Sequence, residues 1–204
     1  VASGRGAQRG IVIRQPRVLE VARKIDSVVL DKTGTLTSGH MSLLHITIVP
    51  AAGAVLGANY AELLLEPIIL SSALSIESQS NHPVATAIAS HISAQGIKTA
   101  MVTEFLASPG AGAAGRVNLG LRSPVVLIGS PPAVAHSSTP FHPDLTLAIE
   151  SAQKDGLTVS VLAWDGVALA IFAVGDEIKP DAIKTIAAFK SHGIDPWLVT
   201  GDTV

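Results

Sequence analysis

The sequence predicts an α/β domain interrupted by an inserted α+β domain, in which an antiparallel sheet is flanked by helices. Apolar, β-branched runs with a polar tip stand near both ends of the chain, "SVVLD" (27–31) and "PWLVTGD" (196–202), and they are typical of buried parallel strands. The middle of the chain carries a strand–turn–strand pattern around Asp165-Gly166, which is typical of an antiparallel hairpin. We therefore expect one domain made of 1–41 and 171–204, with a second domain, 42–170, inserted into it.

Composition excludes several classes of protein. The 204 residues are 48% apolar but only 3% aromatic, so we expect an aliphatic core. A net charge of −2 with scattered Lys and Arg argues against a nucleic-acid partner. The absence of cysteine excludes disulfides and thiolate metal sites, and the histidines show no metal-ligand spacing. The apolar stretch at 46–61 is interrupted by Pro50 and is shorter than the roughly 20 residues of a membrane span.

The first half of the chain predicts two strands followed by two helices. "SVVLD" is the first strand, and "ITIVP" (46–50) is the second. Asn59 with Glu62 resembles a capping box, so a helix is expected from there to about Ile76. A second helix is expected from Pro83 to about Ala94, because proline favours the first turn and Gly96 follows its end.

The second half predicts mostly strands, separated by helices. Strands are expected from Val102 onward, then at "VVLIGS" (125–130), and as a hairpin at "TVSVLAW" (158–164) and "VALAIFAV" (167–174). Helices are expected from Pro143 to Lys154 and within "KPDAIKTIAAFKSHG" (179–193). "HSSTPFHP" (136–143) is predicted to be a turn-rich surface loop.

Asp31 stands at the end of a predicted strand, at the start of "DKTGTLT" (31–37). Ligands of open α/β sheets bind outside the carboxyl ends of the strands. Thr33, Gly34 and Thr35 offer N–H groups and hydroxyls to phosphate oxygens, without negative charge. If Mg²⁺ and lysine charge offset the repulsion, the carboxylate can attack phosphorus and form an aspartyl phosphate. The structural alternative is an aspartate that only caps the turn.

This heptapeptide resembles the phosphorylation motif of the P-type ATPases, and "LVTGD" (198–202) is similar to their next motif. The resemblance implies a haloacid-dehalogenase-like Rossmannoid phosphorylation domain with Mg²⁺ on Asp31 and the Thr33 carbonyl. It implies these catalytic residues: Asp31 as nucleophile, Lys32, Thr33, Thr200 and Asp202. The magnesium site is expected to be incomplete, because the chain ends at Val204, before a later motif whose aspartates complete it. Related phosphatases of the haloacid dehalogenase superfamily commonly carry an acid at the position of Thr33 as general acid/base, so a simple phosphatase is disfavoured.

Two stretches of the predicted insert, "SIESQSNHPVATAIA" (75–89) and "SPGAGAAGRV" (108–117), resemble the nucleotide-binding domain of heavy-metal-transporting P-type ATPases. The resemblance implies that His82 faces adenine, that Glu77 bonds its amino edge, and that Gly110 and Gly112 admit close backbone approach. Ser80 and Arg116 complete the expected site. Ala113 departs from the pattern, since valine is expected there. The structural alternatives are a histidine that caps a helix and glycines that only form a turn.

As a whole, the resemblance implies that ATP binds the insert and transfers its γ-phosphate to Asp31, driving transport of a cation, with copper the expected ion. ATP and Mg²⁺ are the implied cofactors. The abrupt ends, without an initial Met, lead us to expect a monomeric piece of a longer membrane protein, exposed to the cytoplasm. The metal-binding membrane helices and the actuator domain would lie outside it, so this piece would bind nucleotide without transporting ions. A stand-alone nucleotide-binding module and a haloacid-dehalogenase-like phosphatase remain as alternatives.

Overall fold

The structure, a computed structural model, describes residues 7–8, 10–15, 17–22, 24–49 and 65–199. This part of the chain forms two compact units. One contains the described residues up to Gly39 together with those from Ile178 onward, and the other is His40–Glu177. The chain therefore leaves the first unit and returns to it after completing the second.

The described part of the chain contains both helices and strands. In chain order they are α1 (Arg17–Ala22), β1 (Ser27–Asp31), β2 (Thr37–Ile48), α2 (Leu65–Glu77), α3 (Pro83–Ala94), β3 (Met101–Ser108), β4 (Gly112–Asn118), β5 (Val125–Gly129), α4 (Pro131–Ser137), α5 (Pro143–Lys154), β6 (Thr158–Trp164), β7 (Val167–Ile178), α6 (Ala182–Ser191) and β8 (Asp195–Val199).

The first unit is built on a two-stranded parallel sheet, as the apolar runs at the two ends of the chain predicted. β1 pairs with β8, and Leu30 lies opposite Leu198. The last pair in register is Asp31 with Val199, so both strands end at the same edge of the sheet. The chain passes from α6 to β8 through Gly193. The φ of Gly193 is +72°, a conformation typical of glycine just beyond the end of a helix.

The second unit is a six-stranded sheet in the order β2-β7-β6-β5-β4-β3. The pairs from β3 to β7 are antiparallel, and β6 and β7 form the predicted hairpin. Its turn residues, Asp165 and Gly166, have φ values of +47° and +81°. Left-handed conformations at both positions are what a two-residue hairpin turn requires, and this explains why Asp-Gly stands there.

Helices cover both faces of this sheet. Gly115 packs against the side chain of Ile76 in α2, whereas Ala114 lines a cavity together with Ser137 of α4. Successive residues of a strand point to opposite faces, so α2 and α4 lie on opposite faces of the sheet. The core between them is mainly aliphatic, as expected, although Trp164 and Phe172 are its largest fully buried side chains.

Three predictions about elements differ from the structure. β2 begins at Thr37, nine residues before the predicted start at Ile46, because the polar Ser38 and His40 hide its strand character. The predicted loop at 136–143 begins inside α4, whose paired prolines resemble a loop but occupy the first helical turn. The proposed capping box at Asn59 and Glu62 lies outside the described residues.

The compact units divide the chain a few residues away from the predicted domain limits. The joins were expected at 41/42 and 170/171, whereas the compact units divide at 39/40 and 177/178. The second join lies later because β7 continues as one strand from Val167 to Ile178. Its buried part, up to Gly175, belongs with the six-stranded sheet.

Candidate functional site

Asp31 is exposed at the carboxyl end of β1, beside the last residue of β8. Its backbone is extended, with φ −74° and ψ 146°, and its carboxylate makes no hydrogen bond that caps the following turn. The geometry therefore does not favour the capping role that was the structural alternative. An exposed acid at this edge stands where open α/β sheets bind ligands.

The residues after Asp31 form a tight turn that is fixed from within. Thr33 (φ −76°, ψ 123°) and Gly34 (φ 76°, ψ −12°) have the dihedral angles of a type II β-turn, which favours glycine at its second central position. The Gly34 N–H donates to Thr37 Oγ1 at 3.1 Å, and the Thr37 hydroxyl donates to the Lys32 carbonyl at 3.0 Å. The Gly34 N–H, predicted as a phosphate donor, is thus already engaged by a side chain that is only 2% exposed.

Lys179 holds the same turn from outside. Its Nζ donates to the carbonyl of Gly34 at 2.8 Å and to that of Thr35 at 3.1 Å. Its backbone N–H donates to the Leu36 carbonyl at 2.9 Å. One residue thereby fixes three successive carbonyls and brings a positive charge to the turn that follows Asp31. Sequence reasoning missed this residue, because 145 positions separate it from Gly34 and no local pattern indicates the contact.

The remaining predicted catalytic residues are only partly described. Lys32 and Thr33 lie in the turn, whereas Thr200 and Asp202 lie outside the described residues. Within the described ranges, no cluster of three or more His, Cys, Asp or Glu side chains could hold a metal ion. The Asp31 carboxylate and the Thr33 carbonyl are nevertheless donors of the type that Mg²⁺ prefers. They fit an ion that completes its octahedral coordination with other oxygens, such as substrate phosphates and water.

Replacing Lys179 with Met should loosen the turn. We expect the free energy of unfolding to fall by about 1 kcal/mol, because the carbonyls of Gly34 and Thr35 lose a charged donor at a partly exposed site. The amide of Gly34 should also exchange faster. The matched control is Lys184→Met on the exposed side of α6, which should change stability by less than about 0.5 kcal/mol. Equal effects of the two variants in urea unfolding would contradict this role for Lys179.

A cleft of about 330 Å³ opens in the second unit. Its walls are the end of α2 with the start of α3, the turn between β3 and β4, and the adjoining ends of β5 and β6. Five of the six predicted nucleotide-binding residues line it: Glu77, Ser80, His82, Gly110 and Gly112. Its volume is in the range of small-molecule sites, and most of its surface is apolar, as such sites usually are.

His82 lies at the mouth of the cleft and also caps α3. Its Nδ1 accepts a hydrogen bond from the Val84 N–H at 3.3 Å, and its own N–H donates to Ser80 Oγ at 3.2 Å. Nδ1 is therefore engaged by the backbone at the start of α3. The capping role and the cleft-lining role therefore coexist, and the cap fixes the ring's position.

A second His-Pro pair shows that capping alone does not make a site. His142 precedes Pro143 at the start of α5, and its Nδ1 accepts from the Asp144 N–H at 3.3 Å. The local geometry matches that of His82, but His142 is not among the residues that line the cleft. It therefore serves as an internal control for substitutions of His82.

The glycines allow two backbones to cross closely at the floor of the cleft. Gly112 has φ +139°, and a Cβ atom on it would collide with the backbone of Ile128 and Gly129. A Cβ atom on Gly129 would in turn collide with the Ala111 carbonyl. Gly110, with φ +75°, has open space around its Cα. Close packing therefore requires glycine at position 112. Gly110 instead leaves the backbone of the turn uncovered toward the cleft. Gly129, which packs against Gly112, was not predicted from the sequence.

Glu77 is the last residue of α2 and is only 7% exposed. Within the described part of the chain, no donor forms a hydrogen bond with its carboxyl group. Burial therefore penalises the charged form and raises the pKa of Glu77 from 4.5 to about 7. The carbonyl end of a helix disfavours negative charge as well.

Arg116 is not brought to this cleft. Its Nη1 donates to the Ser123 carbonyl at 2.9 Å, and its Nε lies 3.5 Å from the Glu104 carboxylate. We therefore leave Arg116 out of the proposed site. No lysine or arginine lines the described cleft, so the described residues offer it no cationic side chain.

The buried Glu77 carboxyl should make stability depend on pH. The folded state holds its proton up to about pH 7, whereas the unfolded chain releases it near pH 4.5, so the free energy of unfolding falls as pH rises between these values. The loss is at most about 3 kcal/mol at 1.36 kcal/mol per pKa unit. Glu77→Gln should remove this pH-dependent loss of stability. Relative to the unmodified protein, the variant should therefore be more stable at pH 8 than at pH 4.5. Urea unfolding at pH 4.5 and 8 checks this, with Glu104→Gln as control. An unchanged pH slope in Glu77→Gln would contradict it.

The fold and the position of Asp31 agree with a known family. The family model of the haloacid dehalogenase-like hydrolases matches residues 25–204, and the chain belongs to this family. This confirms the expected class of the domain that carries Asp31.

Curated relatives narrow the resemblance further. The chain is 36% identical over 202 residues to a copper-exporting P-type ATPase of Mycobacterium tuberculosis, and 35% identical over 202 residues to a probable copper-importing P-type ATPase A of Enterococcus hirae. Each match includes 99% of this chain but only 24% and 25% of the relatives. The chain therefore spans about a quarter of the length of the curated relatives it matches. The predicted resemblance to heavy-metal-transporting P-type ATPases is confirmed.

Solved structures support the same fold. A zinc-transporting PIB-type ATPase in its E2.Pi state superposes with a TM-score of 0.80 at 24% identity, over 98% of this chain and 30% of that one. The catalytic domain of the CPx-ATPase CopB-B superposes with a TM-score of 0.61 at 20% identity, over 100% of this chain and 65% of that one. These likenesses confirm the predicted fold class. Among the described helices, none combines the length and apolarity needed to cross a bilayer.

Proposed function

We propose that this chain is the ATP-binding and phosphorylation region of a heavy-metal cation-transporting P-type ATPase. ATP binds in the cleft of the second unit, and its γ-phosphate is transferred to Asp31. The observation that carries the proposal is that Glu77, Ser80, His82, Gly110 and Gly112, chosen from two separate stretches of sequence, line one cleft.

The cleft suits the adenosine end of the nucleotide. It offers an imidazole plane at His82, a buried hydrogen-bonding group at Glu77 and exposed backbone at Gly110. A site that relied on phosphate charge would be lined by several cations, and the described residues that line this cleft include no lysine or arginine. We infer that the base and sugar supply most of the binding energy.

The chemistry at Asp31 is a displacement at phosphorus. A carboxylate oxygen of Asp31 forms the new bond to the γ-phosphorus, the bond from that phosphorus to the bridging oxygen breaks, and ADP leaves with the electron pair. Mg²⁺ would supply charge neutralisation, with Asp31 and Thr33 among its ligands. Lys179 supports the turn through its carbonyls, and Lys32, Thr200 and Asp202 are the further residues proposed to act there.

In the complete protein, we propose that phosphorylation drives transport of a cation through membrane helices that are separate from this chain. The names of the relatives favour copper, and an actuator domain would complete the cycle. This chain would then be the cytoplasmic part of an integral membrane protein. By itself it would bind nucleotide as a monomer without transporting ions.

Titration with a series of nucleotides tests the proposal. AMP, ADP and ATP should bind this chain with affinities within about threefold of one another, because no lysine or arginine is among the described residues that line the cleft. GTP should bind at least about tenfold more weakly at pH 6.5, since guanine presents a carbonyl where adenine presents its amino group. Backbone amide shifts or calorimetry measure these affinities. Equal affinity for GTP and ATP, or a steep loss from ATP to AMP, would overturn the adenosine-based site.

A further inference from the structure

The protonation state of the buried Glu77 carboxyl group determines which hydrogen bonds it can form with a bound base. The environment of Glu77 opposes ionisation in several independent ways. Glu77 is only 7% exposed at the carbonyl end of α2, and no lysine or arginine lines the described cleft. A bound nucleotide would cover the carboxyl group further and would bring phosphate charge of the same sign.

Resting on the function proposed above, we propose that the cleft binds adenine through the neutral carboxylic acid of Glu77, so that the affinity for adenosine falls as pH rises through neutrality. The neutral acid carries an O–H donor beside a carbonyl acceptor. Adenine presents the complementary pair on one edge, with N1 as acceptor and the N6 amino group as donor. An ionised carboxylate has acceptors only, so one of its oxygens would face the lone pair of N1 without a proton between them.

The other titratable groups near Glu77 are few in the described residues. His82 is the one other titratable side chain that lines the described cleft. The Lys98 carbonyl accepts a hydrogen bond from Ser71 Oγ of α2, and the elements packed most extensively against α2 are α3, β3, β4 and β5. Their remaining ionisable side chains are His91 in the last turn of α3 and the Glu104–Arg116 pair that joins β3 to β4. On α2 itself, Glu66 lies in the opposite terminal turn.

The raised pKa of Glu77 determines how much the affinity for adenine should change with pH. Burial raises the pKa of Glu77 to about 7, so roughly nine-tenths of the chains hold the proton at pH 6 and roughly one-tenth at pH 8. If only the neutral form binds adenine, the observed affinity scales with that fraction, and it should fall about tenfold between pH 6 and pH 8.

The test is a titration of the whole chain with adenosine at several pH values from 6 to 8.5. Adenosine is the appropriate probe because it carries no phosphate that titrates in this range. Amide shifts at the cleft measure the dissociation constant. We expect it to rise about tenfold from pH 6 to pH 8. Guanosine, whose edge offers two adjacent N–H donors that match a carboxylate, should not weaken over this range. A parallel loss for guanosine would indicate a general change in the cleft and would overturn the inference.

Two glutamate-to-glutamine variants separate Glu77 from other titrating groups. Glu77→Gln keeps a donor beside an acceptor but cannot titrate, so it should remove the pH dependence of adenosine binding whatever its absolute affinity. Glu104→Gln makes the same chemical change outside the cleft and should retain the pH dependence of adenosine binding. A flat wild-type profile, or an undiminished pH dependence in Glu77→Gln, would overturn the protonation mechanism while leaving nucleotide binding intact. No adenosine binding at any pH would instead overturn the proposed function itself.

Discussion

Replacing Asp31 with Asn should abolish the acid-stable, hydroxylamine-sensitive phosphoprotein that we propose the full-length protein forms with labelled ATP and Mg²⁺. The amide retains the shape of the side chain but lacks a nucleophilic oxygen, so label should fall to background. Asp31 makes no capping hydrogen bond to the turn, so the fold should be nearly unaffected. Acid quench and gel separation after brief incubation measure the label.

The matched control is Asp195→Asn. Asp195 begins β8 and pairs with Ser27, at the opposite edge of the same two-stranded sheet from Asp31. This variant should retain the phosphoprotein, because its acid lies at the amino ends of the strands, where open α/β sheets do not bind their ligands. Persistent label in Asp31→Asn, or equal losses in both variants, would refute the assignment of Asp31 as the nucleophile.

Replacing His82 with Ala should weaken ATP binding by at least about tenfold, equivalent to about 1.4 kcal/mol. The substitution removes both the aromatic plane at the mouth of the cleft and the acceptor for the Val84 N–H. His142→Ala removes the equivalent cap from α5 and leaves the cleft unchanged. Both variants should lose about 1 kcal/mol of stability through the lost cap, but only the first should lose affinity.

The comparison distinguishes a binding residue from a capping residue. Calorimetric titration with ATP and urea unfolding provide the two measurements on each variant. Glu77→Ala should resemble His82→Ala in affinity, because it removes the buried hydrogen-bonding group. An unchanged ATP affinity in His82→Ala would return His82 to the role of a cap alone. Equal affinity losses in His82→Ala and His142→Ala would show that the effect arises from helix stability.

Local patterns in the sequence were sufficient where one segment determines the structure. The hairpin at Asp165-Gly166 follows from the conformations that its turn demands. The helices α3 and α5 follow from proline at their starts and glycine beyond their ends. The Asp31 turn follows from glycine at a position with positive φ.

Features created by distant segments were not predictable in this way. The contact of Lys179 with the Gly34 and Thr35 carbonyls joins opposite ends of the chain. The crossing of Gly112 with Gly129 depends on how β4 pairs with β5. The burial of Glu77, which determines its pKa, comes from the packing around the end of α2. Arg116 adjoins the glycine turn in sequence, yet its contacts with Ser123 and Glu104 lie elsewhere.

The most direct test of the central claim is to locate where AMP binds on the isotopically labelled chain. We expect the largest amide shifts to cluster at the cleft, at Glu77, Ser80, His82, Gly110 and Gly112, and the amides around His142 to remain unchanged. Shifts that cluster on another surface, or comparable shifts around His82 and His142, would contradict the assignment of this cleft as the nucleotide site.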